Sequence, residues 1–184
     1  MSKQEKSFKS FVLPVIVLVA ICIVIGAAMA AINFITAPKI ASDHEKKERE
    51  ALSAVLPENQ GFTRQEIEGL PESIVALYTD NGSASIAVML SVRGYDSSNP
   101  MSVAVGFDEE GNITKCSVIS CTGETRGIGS KVASDDFLTG FIGKNNSDSV
   151  DTISGATISS RAFKSAIDDA CRAVAEFRAE EVTK

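Results

Sequence analysis

A single apolar helix followed by an α+β domain is the architecture this sequence predicts. Three observations carry it. Within 184 residues, the run 10–38 contains no charged side chain. Two pairs of short, alternating segments fold around Asp80-Asn81-Gly82 and around Asp108-Glu109-Glu110-Gly111. From Arg161 onward, Phe163, Ile167, Ala170 with Cys171, Val174 and Phe177 recur at the spacing of one helical face. The chain divides accordingly into a short N-terminus (1–9), a transmembrane anchor (10–36), a juxtamembrane helix (37–57) and a globular α+β domain (58–184).

The anchor is long enough to span a bilayer, because residues 11–32 are almost unbroken apolar sequence and a helix rises about 1.5 Å per residue. A cleaved signal peptide is the competing reading, with Ala28-Met29-Ala30 as its small-residue cleavage site. The apolar run exceeds the roughly 7–15 residues of a signal peptide, which favours a retained anchor. Lys3, Lys6 and Lys9 stand against Glu5 on one flank, and the other flank mixes both signs. The positive-inside rule then places the N-terminus in the cytoplasm and the domain outside it, in a single-pass arrangement in the cell membrane.

Beyond the anchor, residues 40–56 read as a charged helix with an apolar edge of Ala51, Leu52, Val55 and Leu56. Residues 59–71 are polar and punctuated by Gly61, Gly69 and Pro71, a connection with room for one short element. Segments 74–79 and 84–92 make a hairpin in which Asn81-Gly82 supplies positive φ, and Ile86, Val88, Leu90 and Val92 alternate onto one face. Segments 102–107 and 112–120 make a second hairpin, so the sheet is antiparallel. Tyr95 lies in the loop joining the hairpins, as a strand-end tyrosine against the core or as a ligand contact. Ser134-Asp135-Asp136 caps a short helix through Phe137, Leu138, Phe141 and Ile142.

Charge excludes some classes of partner. The net charge is -6, and of the 24 acidic residues only Glu5 precedes Ile40, so no surface here would track a nucleic acid backbone. An acidic domain gains nothing from anionic lipid, so contact with membrane lipid rests on the anchor alone. The four cysteines do not form a disulfide framework in a chain of this length. Cys22 and Cys171 read as packing residues, and the odd separation of Cys116 and Cys121 argues against a local bridge. No cluster of His and Cys suggests a metal site. No glycine fingerprint for a dinucleotide opens a strand-to-helix unit.

Two polar stretches remain. Three glycines fall within Gly123-Glu124-Thr125-Arg126-Gly127-Ile128-Gly129, which permits close backbone approach to something flat or anionic. The second stretch, Asp151-Thr152-Ile153-Ser154-Gly155-Ala156-Thr157, opens the last helix. Ordinary N-capping is the plain explanation for Ser, Thr and Asp there. Yet the same junction gathers unpaired N–H groups at the positive end of a helix dipole, a place where an anion is held without a lysine.

Asp151, Ser154, Gly155, Ala156 and Thr157 together resemble the flavinylation motif Asp-x-x-Ser-Gly-Ala-Thr of the FMN-binding domain family, whose members include the flavin-bearing G component of Rnf complexes and the C component of sodium-pumping NADH:quinone oxidoreductases. The glycine loop resembles the family's Glu-Thr-x-Gly-Leu-Gly element, with Ile128 in place of the leucine and Arg126 where proline is usual. The resemblance implies FMN bound covalently to Thr157 through a phosphoester, with Glu124, Thr125, Gly127, Ile128 and Gly129 forming the flavin pocket. Lys131 then reads as a counter-charge for reduced flavin or as a solvated lysine.

A lone threonine hydroxyl needs a base to attack phosphorus. His44, the only histidine, reads as a solvated residue beside the anchor. The family pattern therefore implies a separate flavin transferase as a maturation partner, and no catalytic residue in this chain. The expected role is an electron-transfer subunit of an ion-translocating ferredoxin:NAD oxidoreductase of Rnf type, in contact with other subunits of a membrane redox complex. The alternatives are the corresponding subunit of a sodium-pumping quinone reductase, an extracellular electron-transfer flavoprotein, and a membrane-anchored interaction protein without cofactor.

Overall fold

The computed structural model describes residues 3–182 except residues 66 and 68, and the chain forms two compact units that meet between Lys46 and Lys47. The first unit is helical. Helix α1 runs Lys3–Val55, and its stretch Pro14–Ala37 has a mean hydropathy of 3.1 with none of its surface buried. Anchor and juxtamembrane helix, separate in the sequence reading, are thus one helix. Pro38 lies inside it without ending it, since a proline withholds one N–H and leaves the other bonds of the helix in place.

In the second unit five antiparallel strands follow one another across the sheet in chain order. They are β1 (Phe62–Gln65), β2 (Ile74–Asp80), β3 (Ile86–Val92), β4 (Met101–Phe107) and β5 (Ile113–Ser120). A 3-10 turn (Gly129–Ala133), helix α2 (Asp135–Thr139) and helix α3 (Thr157–Val182) complete the domain.

The two faces of the sheet differ in residue size, and that difference assigns the helices. One face presents Leu77, Ile86, Val88, Leu90, Val103, Val105 and Phe107, which pack against Phe163, Ala166, Ile167, Ala170 and Val174 of α3. The opposite face is built from Ala76, Ala87, Met89 and Ala104, and against it lie Ala51, Leu52 and Val55 at the end of α1 with Leu56. Small side chains bring a helix closer to the strands. At Gly106 the approach is tightest, since an added Cβ would stand 2.7 Å from the Val55 carbonyl oxygen and 2.7 Å from Thr114 Oγ1. Helix α2 and the turn after it close one end of the larger core through Phe137 and Phe141, whose rings meet Phe163 at centroid separations of 5.4 and 5.5 Å.

Both hairpins form, but the first does so by a different device from the Asn-Gly turn. Neither Asn81 nor Gly82 has positive φ. The loop is longer than a two-residue turn: the Asp80 N–H donates to the Ser85 carbonyl at 3.0 Å, and the Asp80 carboxylate accepts the Gln60 N–H and the Ser83 hydroxyl, each at 2.8 Å. Gly82 is small because the Gln60 side chain lies over it; an added Cβ would come within 2.5 Å of Gln60 Cδ. Ser134 does precede α2, yet its hydroxyl turns back to donate to the Lys131 carbonyl at 2.7 Å instead of capping the helix. At the far end of α3, Arg178 donates to the Glu109, Asp108 and Ala84 carbonyls, gathering both hairpin loops beneath the helix.

Candidate functional site

Helix α3 begins where the sequence places it, and it begins without a cap. The first intrahelical bond is donated by the Ser160 N–H to the Ala156 carbonyl at 2.9 Å, which makes Ala156 the N-cap residue. Alanine has no oxygen to offer the helix. Among the described residues no group accepts from the N–H of Thr157, Ile158 or Ser159. Asp151 and Ser154, the residues able to cap, are both exposed, and neither carboxylate nor hydroxyl reaches these donors. The capping explanation of this stretch therefore fails here, and the positive end of the helix stays open.

The preceding turn is shaped to leave it open. Gly155 has φ +81°, a conformation that side chains resist, and it lets the Ala156 N–H donate to the Ile153 carbonyl at 3.0 Å. Ala156 is buried, and the Ser160 hydroxyl donates to its carbonyl at 2.8 Å. Thr157 projects outward as an exposed residue.

Around Thr157 lies a cavity of about 360 Å³, lined by Tyr95, Thr125, Ile128, Gly129, Gly155, Ala156, Ile158 and Ser159 as well. Ligand pockets commonly measure about 300–1,000 Å³, so this one is at the small end of the range. Its walls come from three separate segments, the loop between the hairpins, the glycine loop and the first turn of α3. The predicted residues Thr125, Ile128, Gly129, Gly155, Ala156 and Thr157 converge there. Gly127 belongs to the same loop but not to the wall; it has φ +75° and donates its N–H to the Ser130 hydroxyl at 2.9 Å. Lys131 is exposed in the 3-10 turn and does not line the cavity.

Glu124 sits behind the wall. It is 5 % exposed, its Oε1 accepts the Tyr95 N–H at 3.0 Å, and its Oε2 accepts the Ser159 hydroxyl. Tyr95 overturns its reading as a core residue: its side chain is 66 % exposed and forms part of the cavity. Sequence reasoning also passed over Ile158 and Ser159, since neither belongs to a recognisable pattern until the helix places both beside Thr157. The signal available for Ile158 was a large apolar residue off the buried face of α3.

The residues fit a flavin mononucleotide in kind. Free N–H groups at a helix start suit a phosphate, and exposed Tyr95, Ile128 and Ile158 suit a flat apolar ring system. Residues 94–172 match the FMN-binding domain family, a span that takes in both cavity loops, the Thr157 junction and most of α3. The chain is also 22% identical over 167 residues to the G component of the proton-translocating ferredoxin:NAD(+) oxidoreductase complex of Clostridium ljungdahlii, covering 85% of this chain and 87% of that protein. The chain resembles RnfG proteins, and its residues 94–172 are similar to the FMN-binding domain. The similarity extends well beyond the matched domain, since it covers 85% of the chain.

Proposed function

We propose that this RnfG-like protein is a membrane-anchored electron-transfer subunit of a ferredoxin:NAD oxidoreductase complex, with FMN joined to Thr157 through a phosphoester. The observation that carries the covalent assignment is the uncapped start of α3. Thr157 stands exposed between an N-cap residue with no side-chain oxygen and N–H groups with no acceptor. A phosphodiester there takes up the donors that the chain leaves open.

FMN supplies reversible electron acceptance and donation when bound. The chain's own contribution is placement. The open N–H groups hold the phosphate end, while Tyr95, Ile128 and Ile158 keep water from the ring system. Among the described residues nothing hydrogen-bonds the Thr157 hydroxyl, so no internal base prepares it for attack on phosphorus. Attachment then falls to a flavin transferase, whose base takes the threonine proton as the new P–O bond forms and AMP leaves FAD. The exposed junction is accessible to such an enzyme. The span Pro14–Ala37 is the anchor, surrounded by lipid, with the lysine-rich N-terminus in the cytoplasm and the domain on the other side. NAD and ferredoxin are handled by other subunits, as is ion translocation.

Intact-mass spectrometry of denatured protein from its native membrane tests the assignment. An added mass equal to phosphoester-linked FMN, absent from Thr157→Ala, is the expected result. Native protein without added mass, isolated from cells with active transferase, sinks the covalent reading and leaves an anchored interaction protein as the surviving alternative.

A further inference from the structure

We infer that Glu124 is a positioning residue: it fixes Tyr95 as the aromatic wall of the flavin site and locks that wall to the helix that bears Thr157. This rests on the reading of Thr157 as the flavin-bearing residue. It departs from the expectation that Glu124 itself touches the cofactor.

The loop that carries Tyr95 has no apolar anchor of its own. After Tyr95 come Asp96, Ser97, Ser98, Asn99 and Pro100, held as a local turn in which Asp96 accepts the Ser98 N–H at 2.9 Å and the Asn99 side chain at 2.7 Å. That turn shapes the loop without saying where the tyrosine points. What ties Tyr95 to the domain is its backbone N–H, donated to Glu124. The second carboxylate oxygen takes the hydroxyl of Ser159, two residues past Thr157 on α3. One side chain therefore links all three segments that wall the cavity.

Two glycines make room for this carboxylate. A Cβ on Gly94 would lie 1.9 Å from Glu124 Oε1, and one on Gly129 would lie 2.8 Å from Oε2. Their smallness thus serves an internal strut as much as an approaching ligand. A buried carboxylate is costly to hold with neutral donors alone, and among the described residues no cation is paired with Glu124. The product of this arrangement is a tethered Tyr95 backbone that sets the tyrosine at the cavity wall, beside Ile128 and Ile158, which are 48 % and 59 % exposed. Three large apolar side chains left uncovered around one cavity, in an acidic domain, are the surface that a flat ring system covers.

Glutamine preserves the geometry. Its carbonyl oxygen accepts the Tyr95 N–H, and its amide donates to a Ser159 hydroxyl turned to accept. Alanine removes the strut altogether.

The experiment uses full-length protein in detergent, isolated with its flavin, and compares wild type with Tyr95→Ala, Glu124→Gln and Glu124→Ala. Each sample is weighed by intact-mass spectrometry, and flavin fluorescence is then compared per mole of attached FMN. A tyrosine held against the ring quenches it, so Tyr95→Ala and Glu124→Ala are expected to brighten severalfold while Glu124→Gln stays at the wild-type level. Hydrogen exchange adds a readout free of flavin. The Tyr95 amide is expected to lose protection in Glu124→Ala and keep it in Glu124→Gln, with the Val105 amide in the sheet unchanged in both. Flavin-loaded Tyr95→Ala with wild-type fluorescence overturns the wall and leaves the Thr157 assignment standing. A dark Glu124→Ala beside a bright Tyr95→Ala, or loss of protection at Val105 together with Tyr95, overturns the positioning role. Wild type without added mass removes the covalent flavin at Thr157 on which the inference rests.

Discussion

Asp168 of α3 accepts both donors of Ser147, the backbone N–H at 2.7 Å on one oxygen and the hydroxyl at 2.8 Å on the other. Ser147 is buried in the loop that leads to the Thr157 junction, so this pair fixes the approach of the chain to the site. Asp168→Ala leaves two buried donors without a partner, at an expected cost of about 1–3 kcal/mol. Asp168→Asn keeps an acceptor for the N–H and is expected to lose less. The protein has no tryptophan and two tyrosines, so urea titration in detergent followed by tyrosine fluorescence reads the difference.

Gly106→Ala tests the close approach of α1 to the alanine face. Its new methyl group would meet the Val55 carbonyl, which belongs to the helix backbone and cannot swing aside. A loss of about 1–3 kcal/mol is expected from the overpacking. Limited proteolysis near residue 56 should speed up in parallel.

Tyr78 donates its hydroxyl to Glu48 at 2.7 Å, and burial together with the Glu48 carboxylate pushes its pKa from 10.0 to about 12. In the unfolded chain the phenol ionises first. Between pH 10 and 12 the unfolded state therefore holds fewer protons than the folded one, and stability falls as pH rises. Cys116, pushed up to about 12 chiefly by burial, acts with the same sign from about pH 9 upward. Tyr78→Phe is expected to flatten the decline above pH 10, and denaturation midpoints taken from pH 8 to 11.5 would show it.

Arg178→Lys and Arg178→Ala separate charge from geometry at the far end of α3. The guanidinium reaches three carbonyls at once, which a single ammonium group does not reproduce. Both variants are expected to lose stability by about 1–3 kcal/mol. Flavin content per mole should stay at the wild-type level, because the Thr157 end of the helix is untouched.

Ala156→Ser sets helix stability against cofactor attachment. A hydroxyl at the N-cap offers the open N–H groups an acceptor and is expected to stabilise the flavin-free helix by about 1 kcal/mol. The same hydroxyl competes with the phosphate, so flavin loading during limited exposure to the transferase should fall. A variant that is more stable and equally well loaded would count against the role given to those N–H groups.

What the sequence made legible is what neighbouring residues decide. The hairpins could be placed because Gly111 and the alternating strands act locally, and α3 because its apolar stripe repeats on one face. Strand β1 was legible only as room for one short element, since Phe62–Gln65 is a short polar segment that becomes a strand only by pairing with β2. Tyr95 was misplaced for a related reason. Its exposure depends on Glu124, far along the chain, and no pattern around residue 95 records that contact. The turn at Gly82 was recognised as a turn and given the wrong cause, because the crowding that keeps residue 82 small comes from Gln60.

The order of strands across the sheet has a temporal consequence. Because every strand pairs with its neighbour in sequence, the sheet can assemble progressively as the polypeptide emerges, with only short loops to close. The cavity cannot keep pace with it, for one of its walls is the first turn of α3, which is made after every strand. Docking that helix both completes the core and creates the niche around Thr157. An attached flavin would therefore certify a domain that had finished folding.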